Sequence, residues 1–324
     1  MTAQHMRAPT RDGVIEAAAR IGAILPPTPL LPLEIAGVDL WAKAESLQPI
    51  GAFKIRGGWN RLSQLSDAEK ARGVVGVSSG NHAQGVAWAA RRLGIGATIV
   101  MPRDAPQVKL ANVRALGAEI VLYERLTEDR DEIARRLCDK TGATYVHAYG
   151  DPWVIEGQGS AGIEIAAQMP GLSAPSPSRI VIPCGGGGLA AGLALACPNA
   201  QIVTVEPEGW DDVARSLAAG TILPVDRNPP ATACDALQTM ATWPINFTVL
   251  NSRVEFGVAV SEAEVRSAQR FAFSTLKLVL EPGGAAALAA ALAGKVDLDP
   301  GTVIMLTGGN VDPAAFAEVL ASVD

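Results

Sequence analysis

Aromatic side chains make up only 5% of this 324-residue sequence, charged residues only 19%, and histidine occurs three times. So little charge beside 48% hydrophobic residues excludes an intrinsically disordered chain. No basic run exceeds a pair such as Arg91 and Arg92, and the formal net charge is -6, so no nucleic-acid partner is expected. The four cysteines, Cys138, Cys184, Cys197 and Cys234, show neither a CxxC nor a metal-like spacing. A disulfide framework therefore has no support, and a cytoplasmic location is expected. The most apolar stretch, Ala285 to Ala293, falls well short of the roughly 18 residues of a membrane span, and the opening MTAQHMRAPTRDG lacks the apolar segment of a signal peptide. No membrane partner is expected.

Glycine and proline, by contrast, are plentiful at 33 and 22 residues. With an Ala/Val/Leu core they suit a fold with many strand-to-helix junctions. Short β-branched runs at Val74 to Ser78, Ala97 to Met101 and Glu119 to Tyr123 alternate with helical patterns from Ala83 to Leu93 and around Val108 to Leu116. The alternation resumes after a helix from about Glu128 to Lys140, with strands at Arg179 to Pro183, Gln201 to Glu206 and Thr302 to Thr307, and a long helix from about Glu262 to Lys277. Such order predicts parallel α/β sheets. The chain is about twice the usual domain length. Boundaries near Glu45 and Gly150 divide it into a small α/β lobe, residues 46–149, inserted in a larger one formed by 1–45 and 150–324.

Three glycine-rich junctions follow strands. Ile180 to Pro183 empties through Cys184 into Gly185, Gly186, Gly187 and Gly188, and then into an apolar helix beginning at Leu189. Bare backbone at a helix start suits a phosphate. GxGxxG is absent and no GK[ST] follows, which leaves a small phosphate monoester, with a tight turn as the plainer alternative. Ser78-Ser79-Gly80-Asn81-His82 offers hydroxyls and N–H groups at another helix start, suited to a carboxylate or simply to helix capping. Thr307-Gly308-Gly309-Asn310 closes a third strand. All three lie on the carboxyl side, where open α/β sheets bind ligands.

One lysine stands out in SLQPIGAFKIRGG, Ser46 to Gly58, where Lys54 is set between Ala52-Phe53 and Ile55. Partial burial would lower its pKa and make the amine nucleophilic, although a surface lysine on a helix is the commoner case and Lys54 alone does not overturn it.

Together and in this order, Ser46 to Gly58, Ser78 to Gly85, Gly185 to Gly188 and Thr307 to Asp312 resemble the fold type II pyridoxal-phosphate enzymes, specifically the threonine/serine dehydratase and serine racemase group. The strand-helix order agrees over nearly the whole chain. The resemblance implies a two-domain α/β fold like the tryptophan synthase β-chain, each domain a mostly parallel twisted sheet flanked by helices. It implies a Schiff base between Lys54 and the aldehyde of pyridoxal 5'-phosphate, with Phe53 near the ring and Asn81 on its hydroxyl. Gly185, Gly186, Gly187, Gly188 and Leu189 would hold the phosphate, Thr307 would face the pyridine nitrogen, and Glu281 matches a carboxylate near the cofactor.

A hydroxyl at Thr307 can hydrogen-bond only a neutral ring nitrogen, which makes a weaker electron sink and favours early loss of a β-leaving group. The family more often has Ser there. The implied activity is that of a dehydratase, a carbon–oxygen lyase of the ammonia-lyase type. It turns an L-β-hydroxy amino acid of the serine/threonine kind into a 2-oxo acid and ammonia, with Ser78, Ser79, Asn81 and His82 holding the substrate carboxylate. Ser79 occupies a position where racemase-like members have a second acid/base, so serine racemase is an alternative. A non-catalytic amino-acid sensor on the same fold is another.

Glu206-Pro207-Glu208-Gly209-Trp210-Asp211-Asp212 resembles a divalent-cation segment of those members, with Glu206, Asp212 and the Trp210 carbonyl as ligands for Mg2+ or Ca2+. A solvated acidic loop capping the next helix is the alternative. Around the substrate, Tyr149 stands where relatives often have Phe or Asn, Asp235-Ala236 stands where Asp-Gly is usual, and Arg130 matches a position that contacts dicarboxylates in racemase-like members. Arg130 thus keeps threo-3-hydroxyaspartate open beside serine, threonine and phenylserine, or else is simply solvated on a charged helix. A homodimer is expected.

Overall fold

The computed structural model describes residues 7–78, 80–105, 107–124 and 127–322. Within them the chain opens with α1 (Arg11–Gly22), β1 (Leu30–Ile35), β2 (Val38–Ala44), α2 (Lys54–Ser63) and α3 (Asp67–Arg72). A smaller α/β stretch follows: β3 (Val74–Val77), α4 (Asn81–Leu93), β4 (Ala97–Pro102), α5 (Gln107–Ala115), β5 (Glu119–Tyr123), α6 (Arg130–Thr141) and β6 (Thr144–Val146). Next come α7 (Pro152–Gln168), β7 (Arg179–Pro183), α8 (Gly188–Ala196), β8 (Gln201–Pro207), α9 (Asp212–Ala219), α10 (Pro244–Arg253) and β9 (Val254–Val260). The chain ends with α11 (Glu262–Phe271), α12 (Pro282–Leu292), β10 (Thr302–Leu306) and α13 (Pro313–Ala321).

Two sheets result. The larger runs β1-β2-β10-β7-β8-β9 and the smaller β5-β4-β3-β6. Among the described residues, every pairing within them is parallel except β1 with β2. Parallel strands are covered on both faces, which is why Val74–Val77 and Thr302–Leu306 are buried at every position. Apolar clusters line both faces of the large sheet, and a third fills the small one. Helix α12, PGGAAALAAAL, is apolar all round and is buried from Gly283 to Ala291. Among the described residues no helix is long and apolar enough to cross a membrane.

Thr10, Ser66, Asp129, Asp151, Ser261 and Asp312 each accept from the first turn of the helix they precede. Helices α4 and α8 have no such side-chain cap. The helix expected to run from Glu262 to Lys277 keeps regular α geometry only to Phe271. It loosens into a π turn over Ala272–Leu276 and stops at Lys277, whose φ is +59°.

Helix α2 is wedged between α4 and α7. Gly58 and Gly85 let the α2 and α4 backbones touch: a Cβ on Gly85 would lie 2.7 Å from the Lys54 carbonyl oxygen, and one on Gly58 would lie 2.6 Å from the Gly85 carbonyl oxygen. Only glycine permits that approach.

Candidate active site

The carboxyl ends of β3, β7 and β10 converge on one cavity. Backbone hydrogen bonds stitch the lysine segment to the last of these ends. Phe53 N donates to Thr307 O at 3.1 Å, Gly309 N to Gly51 O at 2.9 Å, and Ala52 bridges Gly308. The Asn310 amide ties all three regions together, donating to Ile50 O at 2.8 Å and to Asn81 Oδ1 at 2.7 Å.

Lys54 projects from the first turn of α2 into the cavity, and its Nζ donates to the Ala148 carbonyl at 2.9 Å. Among the described residues no carboxylate pairs with the ammonium. Burial pushes its pKa down to about 8, far below the usual lysine value. Such an amine is available as a nucleophile or a base near neutral pH. The Phe53 ring lies 5.2 Å from the same Nζ.

In the same cavity, Gly185 to Gly188 lead into α8. Gly187 has φ +85°, in the left-handed region that glycine alone adopts freely. Gly186 packs so closely on Tyr149 that a Cβ would sit 2.3 Å from the ring. Tyr149 thus fills the side-chain space at Gly186, and the loop backbone at an uncapped helix start is left to meet an anion.

The start of α4 faces the same space. Asn81 Nδ2 donates to Glu281 Oε1 at 2.5 Å. Burial, followed by repulsion from Asp235, pushes Glu281 up to about 7. His82 is buried, its Nε2 lies 2.9 Å from the Val146 carbonyl, and burial together with Lys54 holds its pKa down to about 3. A neutral ring donating to Val146 follows, so the imidazole can offer a carboxylate no charge. Ser78 Oγ accepts from Gly80 N at 3.1 Å.

Thr307, Ser78, Arg130, Tyr149, Asp235, Glu281 and Leu189 line the cavity along with Phe53, Lys54, Asn81, His82 and the four glycines. Ser79 lies outside the described residues. Sequence reasoning overlooked Lys109, which lines the cavity, stands near Gly80 and pairs with Asp235. It also gave no sign that Ala148 would receive the Lys54 amine. Neither contribution leaves a local pattern, since one is a lone lysine and the other a main-chain carbonyl.

Glu206, Trp210 and Asp212 do not line that cavity. Glu206 is buried and caps α9, accepting from Val213 N at 3.0 Å and Ala214 N at 2.8 Å, while Asp212 Oδ2 accepts from Thr242 N at 3.0 Å. Burial, reinforced by Asp212, raises Glu206 well above the usual carboxylate range, and burial pushes Asp212 up to about 7. Among the described residues no group of three or more His, Cys, Asp or Glu side chains is placed to hold a metal ion.

A pattern described as "Pyridoxal-phosphate dependent enzyme" matches residues 23–308. This chain belongs to that family. It is 40% identical over 316 residues to the L-threo-3-hydroxyaspartate ammonia-lyase of Pseudomonas sp, covering 95% of this chain and 97% of that protein. Its identity to the serine racemase of Schizosaccharomyces pombe is 36% over 322 residues, covering 97% and 98%. Among solved structures, a threonine deaminase from T.th. superposes with a TM-score of 0.87 at 41% identity, covering 94% of this chain and 99% of that one. The two-domain parallel α/β architecture is that of the fold type II enzymes, as the resemblance implied. The residues also fit the cofactor, which requires an amine for its aldehyde, an anion cradle for its phosphate and polar groups around its ring. The cavity offers a partly buried amine beside Phe53, bare glycine backbone at the start of α8, and Asn81 and Thr307.

Proposed function

We propose that this protein is a pyridoxal-phosphate-dependent dehydratase that converts an L-β-hydroxy amino acid to a 2-oxo acid and ammonia. The observation that carries the reading is the partly buried Lys54 amine, which among the described residues meets a neutral carbonyl and no carboxylate, in a cavity that the uncapped starts of α4 and α8 also line. Pyridoxal 5'-phosphate, when bound, supplies an aldehyde that takes up amines and a conjugated ring that draws electron density from the substrate α-carbon. Gly185 to Gly188 and Leu189 would hold its phosphate, Phe53 and Asn81 would flank its ring, and Thr307 would hydrogen-bond its nitrogen without ionising it.

The start of α4, with Asn81, Ser78 and the His82 main chain, would orient the substrate carboxylate. Lys54 Nζ would take the α-proton, and the β C–O bond breaks with loss of water. The enamine released tautomerises and is hydrolysed to the 2-oxo acid and ammonia. Lys54→Ala is expected to abolish both the visible absorbance of bound cofactor and release of 2-oxo acid from L-serine, L-threonine and L-threo-3-hydroxyaspartate. Retention of either would overturn the assignment.

Arg130 supports a substrate with a β-carboxylate, since it lines the cavity beside Tyr149. Racemisation is a second reading, supported by Ser79 in the sequence and by likeness to a protein named serine racemase. Chiral analysis of products from L-serine separates the two. Glu206, Asp212 and the Trp210 carbonyl would hold Mg2+ or Ca2+, a role supported by the likeness of the stretch from Glu206 to Asp212 to a divalent-cation segment and by the burial of both carboxylates. Loss of activity with chelator and its return with Mg2+ would bear this out, and indifference to chelator would refute it. Exposed Leu47, Phe273 and Val279 support association with a second copy, and four free thiols support a cytoplasmic location. A light-scattering mass equal to one chain would refute the dimer.

A further inference from the structure

We infer that Arg56 is a positioning residue that aims Lys54, acting through a closed buried network with Glu45, Glu164 and Lys43. The inference rests on the role proposed for Lys54. A guanidinium has five N–H donors, and all five of Arg56 are used. Nε and Nη2 fork onto Glu45 at 2.7 and 2.7 Å. Nη1 and Nη2 fork onto Glu164 at 2.6 and 2.7 Å, and Nη1 also reaches Ser160 Oγ at 3.1 Å. Lys43 Nζ is equally saturated, on Glu164 Oε2 at 2.7 Å, Thr28 O at 2.8 Å and Gln168 Oε1 at 2.9 Å. Thr28 Oγ1 closes the circuit onto Glu45 Oε1 at 2.6 Å.

Two cations thus balance two anions. Arg56, Lys43 and Glu45 are fully buried, and the Glu164 side chain is 15% exposed. Ion pairs so deep are a poor route to stability, because well-packed apolar side chains commonly do as well or better. What saturated forks do supply is one fixed geometry.

The place where that geometry is needed is the start of α2. Its N-cap position is Phe53, already in helical conformation, and no side chain caps the first turn that carries Lys54. An uncapped first turn frays. Arg56 lies two residues on, roughly 200° around the helix from Lys54. The network therefore grips the back of the turn while the amine projects from the front. It joins that turn to β2 through Lys43, to the chain just beyond β2 through Glu45, and to α7 through Ser160 and Glu164. With a helix radius of roughly 5–6 Å including side chains, a rotation of about 10° moves the amine by about 1 Å. Misplacement of that size can cost about a hundredfold in rate.

The test uses the reconstituted holoenzyme. Arg56→Met is expected to retain bound cofactor but to lower kcat by about 10–100-fold with KM within about threefold, and to weaken the visible circular-dichroism band that reports how asymmetrically the cofactor is held. Arg56→Lys, which keeps the charge but not the forks, is expected to recover only part of both losses. If Arg56→Met does not fold, the charge-balanced pair Lys43→Met with Glu164→Gln takes its place, with the same two losses expected. A fall in melting temperature with kcat and the dichroic band unchanged would overturn the inference. Lys54→Ala in the same assay keeps the readings apart, because cofactor absorbance that persists there refutes the lysine assignment itself.

Discussion

Replacing Gly186 with alanine would place a methyl carbon 2.3–2.4 Å from three ring carbons of Tyr149. Ordinary contact needs at least 3.4 Å, so the ring or the loop must give way by about 1 Å. The ring is not free to do so. Tyr149 N donates to His147 Nδ1, its carbonyl accepts from the Asn246 amide at 2.9 Å, and His147 packs against it with ring centroids 4.6 Å apart. Overpacking of this kind costs about 1–3 kcal/mol. If the loop moves instead, the amides that would meet the phosphate turn away, and a loss of about 1.4 kcal/mol there weakens cofactor binding tenfold. A double-mutant cycle with Tyr149→Ala separates the clash from any other effect, because without the ring the methyl has room. Denaturant unfolding of the four apo proteins and cofactor titration of each should give a coupling energy of at least about 1 kcal/mol, the double variant being less damaged than the sum of the singles. Additivity within about 0.5 kcal/mol would refute the packing argument.

The remaining predictions concern charge. In the apoprotein the Lys54 amine titrates at about 8, so its uncharged form predominates above that pH, and the rate of cofactor uptake should rise to a plateau just beyond it. A rate still climbing toward the ordinary lysine value of 10.5 would contradict the burial argument. Asp151→Asn removes the partner of the buried Arg61, paired at 2.8 Å, and should cost about 3–5 kcal/mol in chemical unfolding, whereas a cost below about 1 kcal/mol would show that Arg61 finds another partner. Arg130→Met should lower kcat/KM for L-threo-3-hydroxyaspartate by about 10–100-fold while leaving that for L-serine within about threefold. Equal effects on both substrates would remove Arg130 from specificity.

The strands that line the cavity were readable because parallel strands buried on both faces leave continuous apolar runs, as in Arg179–Pro183 and Thr302–Leu306. β1 and β2 escaped because LLPLEI alternates around a proline and VDLWAKA carries Lys43, a buried charge that reads as surface. β9 is an edge strand, mostly partly exposed, and β6 has three residues. Past Phe271 the apolar spacing continues through Phe273 and Leu276, and periodicity records neither the change to π hydrogen bonding nor the positive φ at Lys277. Within the site, the glycine junctions were legible because a bare helix start is a local property. The partner of the Lys54 amine was not, since the Ala148 carbonyl lies 94 residues away in the chain. The same holds for Arg56, whose guanidinium bonds go to Glu45, Ser160 and Glu164.

The contact between α2 and α4 bears on how this scaffold can be re-engineered. Because the Lys54 carbonyl and Gly85 meet main chain to main chain, the turn that carries the reactive amine packs on α4 with no intervening side chain that substitution could resize. Changes of substrate must therefore come from the opposite wall, where Asp235, Gln238 and Thr239 line the cavity from a stretch with little regular structure. A library aimed at new β-substituents belongs in residues 235–243 and at Arg130 and Tyr149. Mutagenesis of the α2–α4 contact should instead yield inactive protein whatever substrate is supplied.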